Sequence, residues 1–157
     1  MNTSEIKNQI KLTNISYLTL LTGLIIFFIL VIVIIQIKTP EENKDLDLIF
    51  TILVPVFGLL MMFTSRMILN QLLLKFDFTS NLEQKISYYR TAKIISWAIV
   101  EGACFLALVA TILTSNYLYI VVFIFLLGYF LMIRPSVESF IKDMRLNSDE
   151  SDLILRK

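Results

Sequence analysis

The chain has 157 residues, 57% hydrophobic and 17% charged, with a net charge of +1 and a mean hydropathy of +0.76. A soluble domain is about 45–50% apolar and about 25% charged, so the excess points to a membrane protein, and the near-neutral balance supplies no basic field for nucleic acid. There is no His and one Cys, Cys104, which excludes the commonest catalytic base and metal ligand and any disulfide or zinc cluster within one chain.

About 20 helical residues cross roughly 30 Å of hydrocarbon. In chain order, four stretches predict such spans: residues 15–37, 48–69, 91–113 and 117–133, the last of them short. Lys7 and Lys11 ahead of the first span look like the basic start of a signal peptide. The apolar run is too long for one, and Ile37-Lys38-Thr39-Pro40 offers no small-residue cleavage site, so it reads as a retained helix. The expected fold is an all-α membrane protein: a transmembrane domain over 1–134 with four helices as two antiparallel hairpins, then a cytoplasmic tail over 135–157.

Positive charge sets the orientation. Lys7, Lys11, Lys75, Lys85, Arg90, Lys93, Arg134, Lys142, Arg145, Arg156 and Lys157 fall on one side, against Lys38 and Lys44 on the other. Positive residues stay inside, which predicts cytoplasmic termini in the inner (plasma) membrane of a cell. The first loop is acidic (Glu41, Glu42, Asp45, Asp47), and Thr114-Ser115-Asn116 is a tight uncharged turn. Trp97, Tyr17, Tyr88 and Tyr89 then fall at the inner interface, and Tyr117 and Tyr119 at the outer one, as aromatic belts do.

Arg66 and Glu101 carry the charges within the second and third spans. An acidic residue at the bilayer centre costs roughly 2.5–3.5 kcal/mol, so Glu101 needs a partner, a proton or a use. Ser80-Asn81-Leu82-Glu83 has the form of a capping box with Ser80 as N-cap. A hairpin turning there puts Arg66 level with Ala92 and Lys93, and Glu101 level with 56–58. The two side chains then differ in depth by roughly 11–13 Å, and Arg66 snorkels to the inner surface instead of pairing. Pro55 and Gly58 allow a bend in the second helix. Small residues Ala98 and Gly102, then Ala103, Ala107 and Thr111, give the third helix faces for close packing. Hydroxyls on the first helix, Ser16, Thr19 and Thr22, are within reach of Glu101 as hydrogen-bond partners, and Thr64 and Ser65 on the second. Two readings of Glu101 follow: a protonated or hydrogen-bonded acid that holds helices together, or a carboxylate that binds and releases a proton or cation.

In the tail, Val137, Phe140, Ile141 and Met144 recur at helical spacing, predicting an amphipathic helix of about ten residues that starts at Pro135 or Ser136. It lies in the inner interface, packs under the bundle or docks a soluble partner. Residues 147–152 read as a loose polar stretch before Leu153-Ile154-Leu155.

Tyr89-Arg90-Thr91-Ala92, Trp97-Ala98 leading to Glu101-Gly102, Arg134-Pro135-Ser136 and Asp143-x-x-Leu146 together resemble a family of small bacterial four-helix integral membrane proteins of unknown function, over most of 80–150. The resemblance implies four helices and no activity. Glu101-Gly102 through Ala110 is also similar to the carboxylate helix of rotary-ATPase proteolipids. Only four Gly, no Arg-Gln-Pro-Glu loop and the opposite placing of the termini separate the chain from that group.

No phosphate loop, nucleophile elbow or metal-ligand spacing occurs, so no enzyme, catalytic residue, metal or cofactor is expected. The expected partners are the lipid bilayer and further copies of the chain or subunits of a membrane complex, without nucleic acid. The alternative is a small proton- or cation-coupled transport unit built on Glu101, with Arg66, Thr19, Thr22 and Gly102 in support.

Overall fold

The structure, a computed structural model, describes residues 3–37, 44–78 and 80–155. The regular elements among them are helices: α1 (Thr3–Ile37), α2 (Lys44–Leu74), α3 (Leu82–Thr114), α4 (Leu118–Met132), α5 (Val137–Asp143) and α6 (Ser148–Leu155). α1 from Asn8, α2 and α3 are each long and apolar enough to cross a membrane. α4 joins them if it is counted with α5, to which it is bent by 72°.

The helix ends differ from expectation in ways that local chemistry explains. Asp45 and Asp47, expected in a loop, lie in the first turn of α2, where carboxylates face the positive end of the helix dipole. The other charges of that loop, Lys38, Glu41 and Glu42, lie outside the described residues, as do Arg156 and Lys157. The N-cap of α3 is Asn81 and not Ser80. Its Oδ1 accepts from the Gln84 N–H at 3.0 Å, while the Ser80 N–H belongs to the preceding turn and donates to the Asp77 carbonyl. α2 runs on through Pro55 without a break, although that ring has no N–H for the Thr51 carbonyl. α4 stops before Arg134-Pro135, because the residue before a proline is pushed out of helical geometry.

The tail is more ordered than expected. Ser136 caps α5 by accepting from the Ser139 N–H at 3.0 Å. α5 closes with the Leu146 N–H on the Ile141 carbonyl (3.1 Å) and the Arg145 N–H on the Lys142 carbonyl (3.4 Å), with Arg145 in the left-handed region at φ 49°. That is a Schellman ending with Arg where Gly is usual. Where a loose stretch is expected, Asn147 and Glu150 form a reciprocal capping box. Asn147 Oδ1 accepts from the Glu150 N–H at 2.8 Å, and Glu150 Oε2 accepts from the Asn147 N–H at 3.1 Å. α6 starts there, and Lys85 Nζ holds Glu150 through both oxygens at 2.8 and 2.9 Å.

Two hairpins are expected; the contacts instead centre on α3. α1 runs parallel to it, with Tyr17 on Trp97 (5.2 Å between ring centres) and Phe27 on Phe105 (5.0 Å). α2 and α4 run antiparallel to α3 and meet each other where a side chain at Gly58 would press on Leu126. Half of the most apolar stretch of α3 is buried, against 11% for those of α1 and α2. A second apolar cluster closes one end of the bundle: Phe140 and Met144 of α5 and Ile154 of α6 pack on Leu73, Ile86 and Tyr89. The amphipathic stripe of the tail therefore packs under the helices.

Glu150→Ala removes both the box and the ion pair that hold α6. Amide exchange over 148–155 is expected to speed up at least tenfold while α1–α4 stay unchanged, as hydrogen–deuterium exchange read by mass spectrometry would show.

Candidate functional sites

Residue order along α3 decides which groups are available. At 100° per residue, Thr91, Ile95, Ala98, Gly102, Val109 and Leu113 fall within an arc of about 60°, and all six are exposed. On one side of this strip α1 packs at Phe105; on the other, α2 packs at Tyr88 and Ser96. α1 and α2 make few contacts with each other among the described residues. The strip is therefore the floor of an open groove between them. Of the two small-residue rows in α3, Ala103, Ala107 and Thr111 are buried in the bundle, whereas Ala98 and Gly102 lie exposed on this floor.

Glu101 stands at the edge of the strip, half-buried, on the α1 side. Its Oε1 lies 4.0 Å from where a Cβ on Gly23 would be, an ordinary contact distance, so the carboxyl lies beside Gly23 of α1. Both residues are near the mid-length of their helices. Among the described residues Glu101 has no hydrogen bond or ion pair. The α1 hydroxyls do not reach it: Ser16 and Thr19 donate to the carbonyls of Leu12 and Ile15 in their own helix, and exposed Thr22 makes no bond to it. Of the expected supporting residues, only Gly102 adjoins Glu101 on its own helix.

Arg66 is separate from it. Ser65 Oγ donates to the Ser96 carbonyl at 2.9 Å and shares a hydrogen bond of 2.7 Å with Ser96 Oγ, and Tyr88 OH donates to the Leu72 carbonyl at 2.8 Å. This register is about three residues off the expected one. It sets Arg66 level with Ile95 and leaves about 9 Å of helix rise between Arg66 and Glu101. No ion pair joins them.

Arg66 faces another feature, one that sequence reasoning missed. A polar cavity of about 420 Å³ opens where α2, α3, α4 and α5 meet. Arg66 and Asn70 enter it from α2, Lys93 and Ser96 from α3, Arg134 from the α4–α5 bend, and Asp143 from α5. Lys93 Nζ lies 3.6 Å from Asp143 Oδ2 and 5.2 Å over the Tyr89 ring. Arg66 and Arg134 are exposed and, among the described residues, neither is hydrogen-bonded or paired with a carboxylate. The signal for this site lay in the charge pattern, which put Arg66, Lys93 and Arg134 at one depth. That they converge depends on the bend at Pro135.

The opposite end of the bundle is latched by Asp47. Its carboxylate accepts from Asn116 Nδ2 at 3.0 and 3.1 Å and from Tyr119 OH at 2.6 Å, tying the start of α2 to the α3–α4 turn. In that turn Ser115 adopts φ 55°, and Asn116 Oδ1 caps the Leu118 N–H at 2.9 Å. These contacts are structural. No group of His, Cys, Asp or Glu suited to a metal ion occurs among the described residues.

No protein-family model, curated protein or solved structure matches this chain.

Ser65→Ala takes away the hydroxyl that ties α2 to α3 beside the cavity. Unfolding in mixed micelles is expected to show a loss of about 1 kcal/mol, the usual net worth of one such bond.

Proposed function

We propose that the chain is a four-span integral membrane protein that acts through helix packing, as an oligomer or as a subunit of a membrane complex. α4 rises only about 22 Å and serves as the fourth span by drawing on the residues at either end, with Arg134 snorkelling to the headgroups. The end that gathers α5, α6 and most of the Lys and Arg is the cytoplasmic one, by the charge rule. The membrane is the inner (plasma) membrane, and the reading agrees with the resemblance to small bacterial four-helix membrane proteins.

One observation carries the reading: Ala98 and Gly102 are exposed on the floor of a groove between α1 and α2. In lipid, helices associate by close van der Waals fit and not by a hydrophobic drive, and exposed small residues offer that fit to an incoming helix. Glu101, on the edge of the same floor, supplies the acid that a partner's donor can satisfy.

A second reading has its own support. Glu101 is half-buried near mid-length and, among the described residues, has no hydrogen-bonding or ionic partner, the setting of an acid that exchanges a proton or cation. Transport through the groove is then the function, with Glu101 as the binding group.

Two measurements separate them. The native mass of the nanodisc-embedded particle is expected to be a multiple of 18.2 kDa, or that of a larger complex, and Gly102→Leu is expected to reduce it to the single chain. A wild-type particle already at the mass of one chain contradicts the packing reading. In proteoliposomes loaded with a pH-sensitive dye, packing predicts the same leak for wild type and Glu101→Gln. A wild-type flux that Glu101→Gln abolishes with assembly intact establishes the transport reading in its place.

A further inference from the structure

We propose that the cavity between α2, α3, α4 and α5 binds a phosphate-type anion, carried either by the headgroup of an anionic phospholipid or by free phosphate. The site is distinct from Glu101 and holds whichever reading of that residue is right.

Three features build it. Its volume of about 420 Å³ falls in the range of ligand sites, about 300–1,000 Å³. Its charged lining is three cations, Arg66, Lys93 and Arg134, against one carboxylate, Asp143. Asp143 lies 3.6 Å from Lys93 and offsets that charge, which leaves the guanidinium groups of Arg66 and Arg134 unmatched among the described residues. They come from different elements, α2 and the α4–α5 bend, and converge on one concavity, unlike basic residues scattered along a headgroup surface. Guanidinium is the side chain whose planar fork matches a phosphate with two parallel hydrogen bonds.

The walls discriminate further. Asn70 and Ser96 add neutral polar groups, while Leu69 and Met132, the latter 82% exposed, form an apolar lip. A phospholipid fits that division, with its phosphate inside on the arginines and its chains over the lip. Basic pockets between transmembrane helices at the cytoplasmic face are suited to anionic headgroups for this reason.

Trp97 lines the cavity and is the only Trp in the chain, so it reports on occupancy directly. The full chain is placed in phosphatidylcholine nanodiscs, and brominated phosphatidylglycerol is titrated in against brominated phosphatidylcholine. Phosphatidylglycerol is expected to quench Trp97 at the lower mole fraction. Arg66→Gln and Arg134→Gln are each expected to raise the fraction for half-quenching about fivefold. Both side chains are exposed, so neither substitution empties a packed core. Lys142→Gln, on the exposed face of α5, is expected to change nothing.

Inorganic phosphate then distinguishes the sources. If it relieves the quenching, or alone shifts Trp97 emission in an Arg66-dependent way, the ligand is soluble phosphate. If it does neither while the lipid preference stands, the ligand is the headgroup. The proposal is overturned if both brominated lipids quench alike and phosphate has no effect. It is equally overturned if the Arg66→Gln, Arg134→Gln double variant binds as wild type does, or if Lys142→Gln weakens binding as much as they do.

Discussion

Ala103, Ala107 and Ala110 on α3 are at most 2% exposed, and they lie on the side of α3 where Ser96 meets α2, so side chains that end at Cβ let the bundle close tightly there. In lipid no hydrophobic gain follows from bringing two apolar helices together, so contact area and close fit must supply the stability. Small residues on the central helix let large ones on its neighbours come in. Tyr17 stacks on Phe130 and Phe28 on Phe123 around this core, and Trp97, Phe123 and Phe130 are at most 1% exposed. With α1, α2 and α4 so placed, no helix among the described residues covers the remaining strip of α3. The groove of Ala98 and Gly102 is thus a consequence of the same packing.

Polar contacts act at the two ends and, between them, where Ser65 meets Ser96 and where Tyr129 OH donates to the Met62 carbonyl at 3.3 Å; they set register more than they add energy. The short α4 leaves carbonyls unmatched at its last turn, and the aromatic residues of that level satisfy them. Tyr17 OH donates to the Phe130 carbonyl at 3.2 Å and Trp97 Nε1 to the Ile133 carbonyl at 3.1 Å. Aromatic side chains that suit the membrane interface thereby also cap a helix end. Asp47 does the corresponding work at the far end, joining the start of α2 to Asn116 and Tyr119.

The long apolar runs were legible because a bilayer demands continuous length, and counting residues measures it. The third helix and the place of Glu101 near its mid-length came from the same count. Rotation about a helix axis is not countable, so the facing of Glu101 towards Gly23 was out of reach, and so was the turning of the Thr19 hydroxyl to the Ile15 carbonyl of its own helix. The cap of α3 was one residue off because Ser80 and Asn81 are both good N-caps, and only backbone geometry chooses between them. That shift, with the turn that begins at Lys75, moved the α2–α3 register by about three residues. The start of α6 was legible and was missed: Asn147 and Glu150 show the same spacing that was read at Ser80 and Glu83. The cavity was not legible, since it gathers side chains from four elements around a bend whose 72° angle no residue pattern states.

The separation of Arg66 from Glu101 explains how both are tolerated. A direct pair near mid-length would strip water from two charges, and the desolvation cost of such a pair often exceeds its Coulombic gain. The Ser65–Ser96 contact holds α2 where Arg66 lies about 9 Å of rise from the carboxyl, towards the end that carries Lys93 and Arg134. There a guanidinium keeps contact with water or headgroups at little cost. Among the described residues Glu101 is then left without a cation, and an acid so placed is accommodated by taking up a proton or by meeting a donor from outside the bundle. The two polar places are therefore linked by one register. Sliding α2 by a single turn towards Glu101 would offer it a cation and at the same step withdraw Arg66 from the cavity.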